Sequence, residues 1–421
     1  MDSRHVAVLG AGLVGACSAL ELLRRGFRVT LVDPAEPGGE QAASYGNAGW
    51  LSSQSIIPPS FPGVWKQVPG YLRDPLGPLA IRWTYLPRAL PWLLGYIAAG
   101  STVRKIEATA AALRTILKDA APMHQALARE AGVAGLIEQA GLLHVYRSRG
   151  DYAKDGLGWR IRRAQGIALN EIEADELRAR EPDLHERYRF AIEVPEAGRC
   201  RNLGAYVAAL VRLACARGAE LRKEEGRGFR LRDGRLAAVK TSGGELACDG
   251  AVVCAGARSK ALADAAGHRV PLDSERGYHV TLEGATVGPR TSMMAMDCKM
   301  VVNAMDVGLR AAGQVEIAGV DGAPDWRRAD ILLENLKSMF PALPGETSAG
   351  EVRRWLGHRP SMPDGRPCLG PARASRDIVR AFGHGHVGVG SAPRTGRLVA
   401  QLLSGEPTEV PLAPFEPGRF A

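Results

Sequence analysis

The first thirty-three residues of the chain prescribe a strand, a helix and a second strand around one glycine-rich turn. His5-Val6-Ala7-Val8-Leu9 is a short apolar run with β character, followed at once by Gly10-Ala11-Gly12-Leu13-Val14-Gly15. An alanine- and leucine-rich helix then runs to Arg25, Gly26 breaks it, and Phe27–Val32 forms a second strand closed by Asp33. This is a βαβ unit with a G-x-G-x-x-G turn and an acid at the end of its second strand, and each part has a physical task. Gly10 makes the tight turn. Gly12 has no Cβ, so a pyrophosphate can approach the N–H groups at the helix start, among them those of Leu13 and Val14. Gly15 lets the helix pack close to the sheet. Asp33 can accept hydrogen bonds from both hydroxyls of an adenosine ribose and would repel an extra phosphate there. The unit implies an adenine dinucleotide and leaves FAD against NAD open.

A length of 421 residues allows two or three domains with ample core. Apolar residues make up 46% and charged residues 24%, as in an ordinary globular protein. The formal charge is +9, from 54 Lys+Arg against 45 Asp+Glu, and arginine supplies most of it. The basic residues are spread among acids, so no nucleic-acid-binding face is expected. The seven cysteines (Cys17, Cys200, Cys215, Cys248, Cys254, Cys298, Cys368) show neither a C-x-x-C pair nor metal spacing, so no metal site is expected. Their odd number points to a reducing compartment. The first strand starts almost immediately, which leaves no room for a signal peptide. No run of about twenty residues is continuously apolar. These features together suggest a cytoplasmic protein.

After Asp33 comes a turn-rich stretch that contains Ser44-Tyr45-Gly46-Asn47-Ala48-Gly49. Residues 51–100 are rich in proline, tryptophan and tyrosine. Their most apolar part, 79–97, reads either as short helices covering a site or as a surface lying on a membrane. Residues 101–131 have helical spacing, with a break or kink expected at Pro122. Further on, Asn202 or Leu203 opens a helix to Arg217, and Asp233-Gly234 turns a hairpin. Gly250–Cys254 is a buried-type strand that leads through Ala255-Gly256 into a helix. The pattern from Tyr278 to Val320 is β. Near the end, Gly383-His384-Gly385-His386-Val387-Gly388-Val389-Gly390 precedes a helix expected from about Thr395 to Leu403.

A nicotinamide dehydrogenase usually completes its dinucleotide domain in one block of roughly 150 residues. Here the nucleotide-type elements return only near 203–266 and again at 355–403. The reading is a discontinuous cofactor domain (1–50, 195–270 and 355–421) with a substrate domain inserted twice (51–194 and 271–354), which favours FAD. The glycine-rich segment around Gly383, Gly385 and Gly388 offers a second set of backbone donors before a helix, suited to the negative charge of a reduced flavin ring.

Taken together, the chain resembles the D-amino-acid-oxidase/glycine-oxidase superfamily of FAD oxidoreductases, and within it the bacterial D-amino acid dehydrogenases. The residues that carry the resemblance are Gly10–Gly15 with Asp33, Ser44–Gly49, Gly141-Leu142-Leu143, Glu181-Pro182, Val252–Gly256, Gly277-Tyr278, the run from Trp355-x-Gly357-x-Arg359 to Pro367, and Gly383–Gly385 leading into Ala392-Pro393-x-Thr395-Gly396. It implies an α/β fold: a Rossmann-type FAD domain and an α+β substrate domain on an antiparallel sheet. It also implies non-covalent FAD, since Gly357 and His358 occupy the stretch where relatives with covalent flavin carry a cysteine. The implied chemistry is hydride transfer from the substrate Cα to flavin N5, with electrons passed to a quinone or other carrier. Alternatives are a dehydrogenase of cyclic D-imino acids such as D-proline or cis-4-hydroxy-D-proline, a glycine/sarcosine-type oxidase, and a flavoprotein subunit of an electron-transfer complex.

Asn47, Ala48, Gly49, Ala255 and Gly256 are expected to approach the flavin. Such an enzyme must clamp a carboxylate, ideally with an arginine fork and a tyrosine hydroxyl. Several relatives place an arginine where this chain has Ala304, next to Asn303. Replacement candidates are Arg276, Tyr278, Arg310 and Arg359, with Asn303 in the substrate pocket. His384 and His386 flank Gly385. His384 is the candidate for contact with flavin or substrate amine, and His386 reads as a loop histidine.

Overall fold

In a computed structural model, residues 3–66, 70, 76–77, 79–343 and 351–420 are described. Part of the aromatic-rich stretch (67–69, 71–75 and 78) and residues 344–350 of the expected substrate domain lie outside them.

The opening motif builds the expected unit. Strands His5–Leu9 and Arg28–Val32 pair in parallel around the helix Leu13–Arg24, which buries Leu13, Ala16, Cys17 and Leu20 and ends before Gly26 at φ +78°. These strands lie inside a six-stranded sheet ordered Glu220–Arg222, Arg28–Val32, His5–Leu9, Gly250–Val253, Ile378–Phe382 and Cys368–Pro371. All neighbours are parallel except the last pair. Helices Leu203–Ala216 and Gly388–Ser404 pack beside the first helix in one core. Gly396 is the close crossing, since a Cβ there would stand 2.6 Å from the Cys17 carbonyl carbon. The predicted hairpin is present as Gly226–Arg232 and Arg235–Thr241, with both turn residues, Asp233 and Gly234, at positive φ as a primed turn requires.

The second sheet is antiparallel for most of its length. Its order is Val352–Ser361, Asp273–Leu282, Gly308–Ile317, Met300–Met305, Met293–Ala295, Leu142–Tyr146, Phe190–Val194 and Asn170–Glu173, with Leu79–Ile81 added beside Val315–Ile317. The strand Val352–Ser361 pairs along its whole length with Asp273–Leu282. Residues 355–361, expected in the cofactor segment, therefore belong to this sheet. One face is covered by the helix Arg327–Met339, through Leu332, Leu336 and Met339 against Tyr278, Val280 and Leu282.

Two expectations about helices are corrected. The break in the 101–131 run falls at Lys118-Asp119, with Asp119 left-handed at φ 63°, and not at Pro122. Pro122 sits in the first turn of Ala120–Glu130, where its missing N–H costs nothing. The C-terminal helix begins at Gly388, well before Thr395, and carries Pro393 inside it. Among the described residues no helix is long and apolar enough to cross a membrane.

Candidate active site

The glycine turn is ready for an anion. Gly10 has φ +114° and presses on the next parallel strand, so that a Cβ would lie 2.6 Å from the Cys254 carbonyl oxygen. A Cβ on Gly15 would lie 1.9 Å from the Gly10 oxygen, which fixes the helix against the turn. Gly12 is different: the space where its Cβ would stand is open, and no side chain caps the helix that starts there. Asp33 steadies the turn by accepting from Ala11 N at 2.8 Å and Ala35 N at 3.0 Å. A carboxylate has further lone pairs with which to accept from ribose hydroxyls. Ala255 and Gly256 (φ +57°) follow the adjacent strand, and nothing stands within 4 Å of a Cβ on Gly256.

From this turn the chain passes to the loop Tyr45–Gly49, whose carbonyls from Tyr45 to Ala48 face the antiparallel sheet. Arg310 donates from Nη1 to the oxygens of Tyr45 (2.8 Å) and Asn47 (3.1 Å). The His279 ring bonds through Nδ1 to Gly46 O at 3.0 Å, and Asn303 donates from Nδ2 to Ala48 O at 2.8 Å. Gly49 must be left-handed, at φ +81°, because a Cβ would meet Cys200 O at 2.3 Å. The N–H groups of Gly46 and Ala48 find no acceptor among the described residues. An open space over Gly12 and unpaired donors on this loop suit an elongated, hydrogen-bond-accepting dinucleotide such as FAD.

The sheet face that holds the loop is one side of the strand Asp273–Leu282. Strand alternation puts Glu275, Gly277, His279 and Thr281 on that side, and Arg276, Tyr278, Val280 and Leu282 on the other. Cross-strand partners share a side, so Arg359, Gly357 and Trp355 stand with Glu275, Gly277 and His279. The Trp355 indole stacks on His279 (centroids 4.9 Å apart, planes at 14°) and covers Gly46 and Gly357, where a Cβ would lie 1.9 Å from the ring. The W-x-G motif is thus a packing device that locks the loop.

Arg359 lies flat on Gly277, with its guanidinium nitrogens 2.4 Å from where a Cβ would be. It donates once, from Nη1 to Gln314 O at 3.3 Å, a carbonyl turned toward it by the left-handed Gln314 (φ 60°) at a register shift. No carboxylate lies within 4.0 Å of it among the described residues. Burial holds this guanidinium below its ordinary pKa, with Glu275 acting in the opposite sense. A sheltered cation with unused donors and no carboxylate within ion-pair distance is the arrangement an incoming carboxylate requires.

Most of the other expected substrate residues are engaged elsewhere. Tyr278 donates to Glu316 Oε2 at 2.7 Å and accepts from Asp325 N at 3.0 Å, on the face under the helix. Arg276, 0% exposed, lies on the same face, 3.4 Å from Glu316 Oε2, and donates to Ala323 O. Both stand on the face away from the cofactor loop; sequence alone does not say which side of a strand buried on both faces carries that loop. Arg310 and Asn303 stand on the right face but are spent on the loop carbonyls. Ala304 is exposed near the far end of its strand, so an absent arginine there removes nothing from the junction. His384 is buried, with Nε2 bonded to Thr395 Oγ1 at 3.1 Å, and burial lowers its pKa to about 4. Gly383 (φ +80°) and Gly385 (φ +49°) shape the turn around it, and Gly388 opens the uncapped C-terminal helix.

Sequence reasoning missed Glu275, Gln314 and Ser361. Glu275 is 4% exposed and accepts from Ser361 Oγ at 2.7 Å. Its signal was present: an acid inside a strand with both sides covered must have partners. Through the bridge between Ser361 and His384, the edge of the antiparallel sheet meets the carboxyl end of the parallel one. Ligands of open α/β sheets bind outside those strand ends.

A glycine turn open at Gly12 at one end and a sheltered arginine at the other are what a dinucleotide-dependent oxidoreductase of small anions requires. The chain belongs to the family described as FAD dependent oxidoreductase, whose model matches residues 5–402. It is 62% identical to a protein of Bradyrhizobium diazoefficiens named D-amino-acid oxidase, over 100% of this chain and 99% of that one. A Paramagnetospirillum magneticum protein named D-amino acid dehydrogenase is 32% identical over 99% of this chain and 98% of its own. In fold, the chain is similar to glycine oxidase from Geobacillus kaustophilus, with a TM-score of 0.73 at 23% identity and 99% of both chains covered.

Proposed function

We propose that the protein oxidatively deaminates D-amino acids, and that Arg359 clamps the substrate carboxylate. The observation that carries this reading is the sheltered guanidinium of Arg359, which has one weak backbone partner and, among the described residues, no carboxylate within 4.0 Å. Gly277 leaves the guanidinium room, and the Gln314 carbonyl fixes its plane. Held this way, it can take a carboxylate through two parallel hydrogen bonds and so orient the Cα beside it. Gly12, Leu13, Val14, Asp33, Asn47, Ala48, Gly256 and Gly388 would hold the FAD without a covalent link. Bound FAD supplies the hydride acceptor. A panel of D-amino acids with a dye acceptor, including D-proline and hydroxyprolines, tests the reading. Turnover of D- but not L-isomers supports it, and no turnover of any D-isomer overturns it.

For the electron acceptor we infer a quinone or similar carrier reached at the inner membrane surface. The helix Leu86–Ala99 buries Trp92 and Tyr96 yet leaves Leu90 and Leu94 exposed one turn apart, with Trp83 exposed just before it. Exposed Arg88, Arg104 and Lys105 flank this ridge. Apolar groups beside bases favour a peripheral, anionic lipid surface. Rapid peroxide formation in air, with no dye-linked preference, would contradict this and make the protein an oxidase.

A further inference from the structure

A second polar pair stands beside Arg359 and is not used by the carboxylate clamp. His386 Nε2 lies 2.9 Å from Glu275 Oε2; the imidazole is 44% accessible and the carboxylate 5%. Glu275 is the direct cross-strand neighbour of Arg359, so the three groups share one face. A carboxylate that faces one ring nitrogen fixes the tautomer with hydrogen on Nε2. Nδ1, which has no partner among the described residues, is then a hydrogen-bond acceptor. Burial pushes the Glu275 carboxyl up, while His386, Ser361 and Arg359 together hold it below the usual carboxylate range.

An α-amino acid arrives as a zwitterion. Its nitrogen needs a free lone pair before the Cα hydrogen can leave as hydride, so one ammonium proton must go first. Arginine has no acceptor atom to take it. We propose that His386, positioned by Glu275, receives the substrate ammonium and removes that proton; this rests on the amino acid reading above. The N–H bond breaks with its electron pair left on the substrate nitrogen, and an Nδ1–H bond forms. The imidazolium stays paired with the Glu275 carboxylate, and its exposed edge passes the proton to water. His386 is then a catalytic residue and Glu275 a positioning residue. Among the described residues Glu275 is the charged group within 4.0 Å of the imidazole, and Arg359 is the cross-strand neighbour of Glu275. His384, two residues away, is turned to Thr395.

The test uses flavin-loaded enzyme, kcat/KM for a D-amino acid across pH, and binding of benzoate, a carboxylate without an amine, read from the flavin absorption. For His386→Gln we expect about a 100-fold loss of kcat/KM at neutral pH. The loss shrinks at alkaline pH, where the substrate supplies its own free amine, and benzoate affinity stays within twofold. Added imidazole partly restores His386→Ala, a rescue that a structural role would not give. Glu275→Gln, if it folds, moves the acid limb of the profile; if it does not, the His386 variants decide. Kinetics within twofold of wild type at every pH overturn the pair's role. So does a pH-independent loss matched by an equal loss of benzoate affinity. Wild-type enzyme that oxidises no D-amino acid instead overturns the substrate reading itself, which is seen without any variant.

Discussion

The two ends of the site are built in opposite ways. The dinucleotide turn is one contiguous stretch, Gly10 to Asp33, whose uncapped helix start offers backbone donors beside open space at Gly12. The junction around Arg359 is assembled from strands at 273–282, 308–317 and 352–361 and from the turn at 383–388, and side chains line it. A contiguous backbone site is written in residue spacing. An assembled one depends on which face of each strand looks inward.

The largest expected effect comes from the turn. In Gly12→Val the added atoms enter open space, so the apoprotein keeps its melting temperature while FAD binding and all activity are lost. In Gly15→Val the Cβ meets the Gly10 carbonyl, and folding itself suffers by about 3 kcal/mol or more. Flavin retention and apoprotein melts separate the two, and retained FAD in Gly12→Val would break the comparison at its better-defined end.

Next comes the clamp. Arg359→Met is expected to lower kcat/KM by roughly 1,000-fold, the size of two lost hydrogen bonds to a charged group, with the flavin still bound. Arg359→Lys recovers only part, because an ammonium cannot reproduce the fork. Steady-state kinetics check both.

Acid should loosen the fold at its buried histidines. Burial lowers the pKa of His124 to about 4 and of His384 to about 4; with a further push from Arg310, it lowers that of His279 to about 3. The unfolded chain binds these protons near pH 6.5 and the folded one does not. Their contribution is therefore intact above about pH 6.5 and lost as pH falls from there toward 4. Thermal melts at pH 5 should lie roughly 5 °C or more below those at pH 7.

The smallest kinetic effect belongs to the opposite face of the same strand. Tyr278→Phe should cost about 2 kcal/mol of stability, from a buried hydroxyl bonded to Glu316 and Asp325, and leave kcat/KM within twofold. A tenfold kinetic loss would return Tyr278 to the substrate.

This contrast marks what the sequence could say. Gly10, Gly12, Gly15 and Asp33 were legible because strand, turn and helix are adjacent in the chain. The hairpin at Asp233-Gly234 was legible for the same reason. Arg359 was legible only as one arginine among several, since no residue name says that its guanidinium keeps a single weak backbone partner. The side taken by Tyr278 and Arg276 was not legible because Asp273–Leu282 is buried on both sides, so period-two patterning disappears and neither face declares itself. Asn303 and Arg310 read as substrate-pocket residues, but in the structure their partners are carbonyls of the Tyr45–Gly49 loop, which no residue name reveals. His386 looked like a loop histidine until Glu275, more than a hundred residues earlier, was found 2.9 Å away.

The central claim is that substrate carboxylates meet the Arg359 face and not the Tyr278 face. The most direct measurement is binding without turnover: titration of flavin-loaded wild-type, Arg359→Met and Tyr278→Phe enzymes with benzoate, followed by flavin absorption. We predict at least a 100-fold weaker Kd for Arg359→Met and an unchanged Kd for Tyr278→Phe. Unchanged affinity in Arg359→Met, or the loss falling on Tyr278→Phe, would contradict the account.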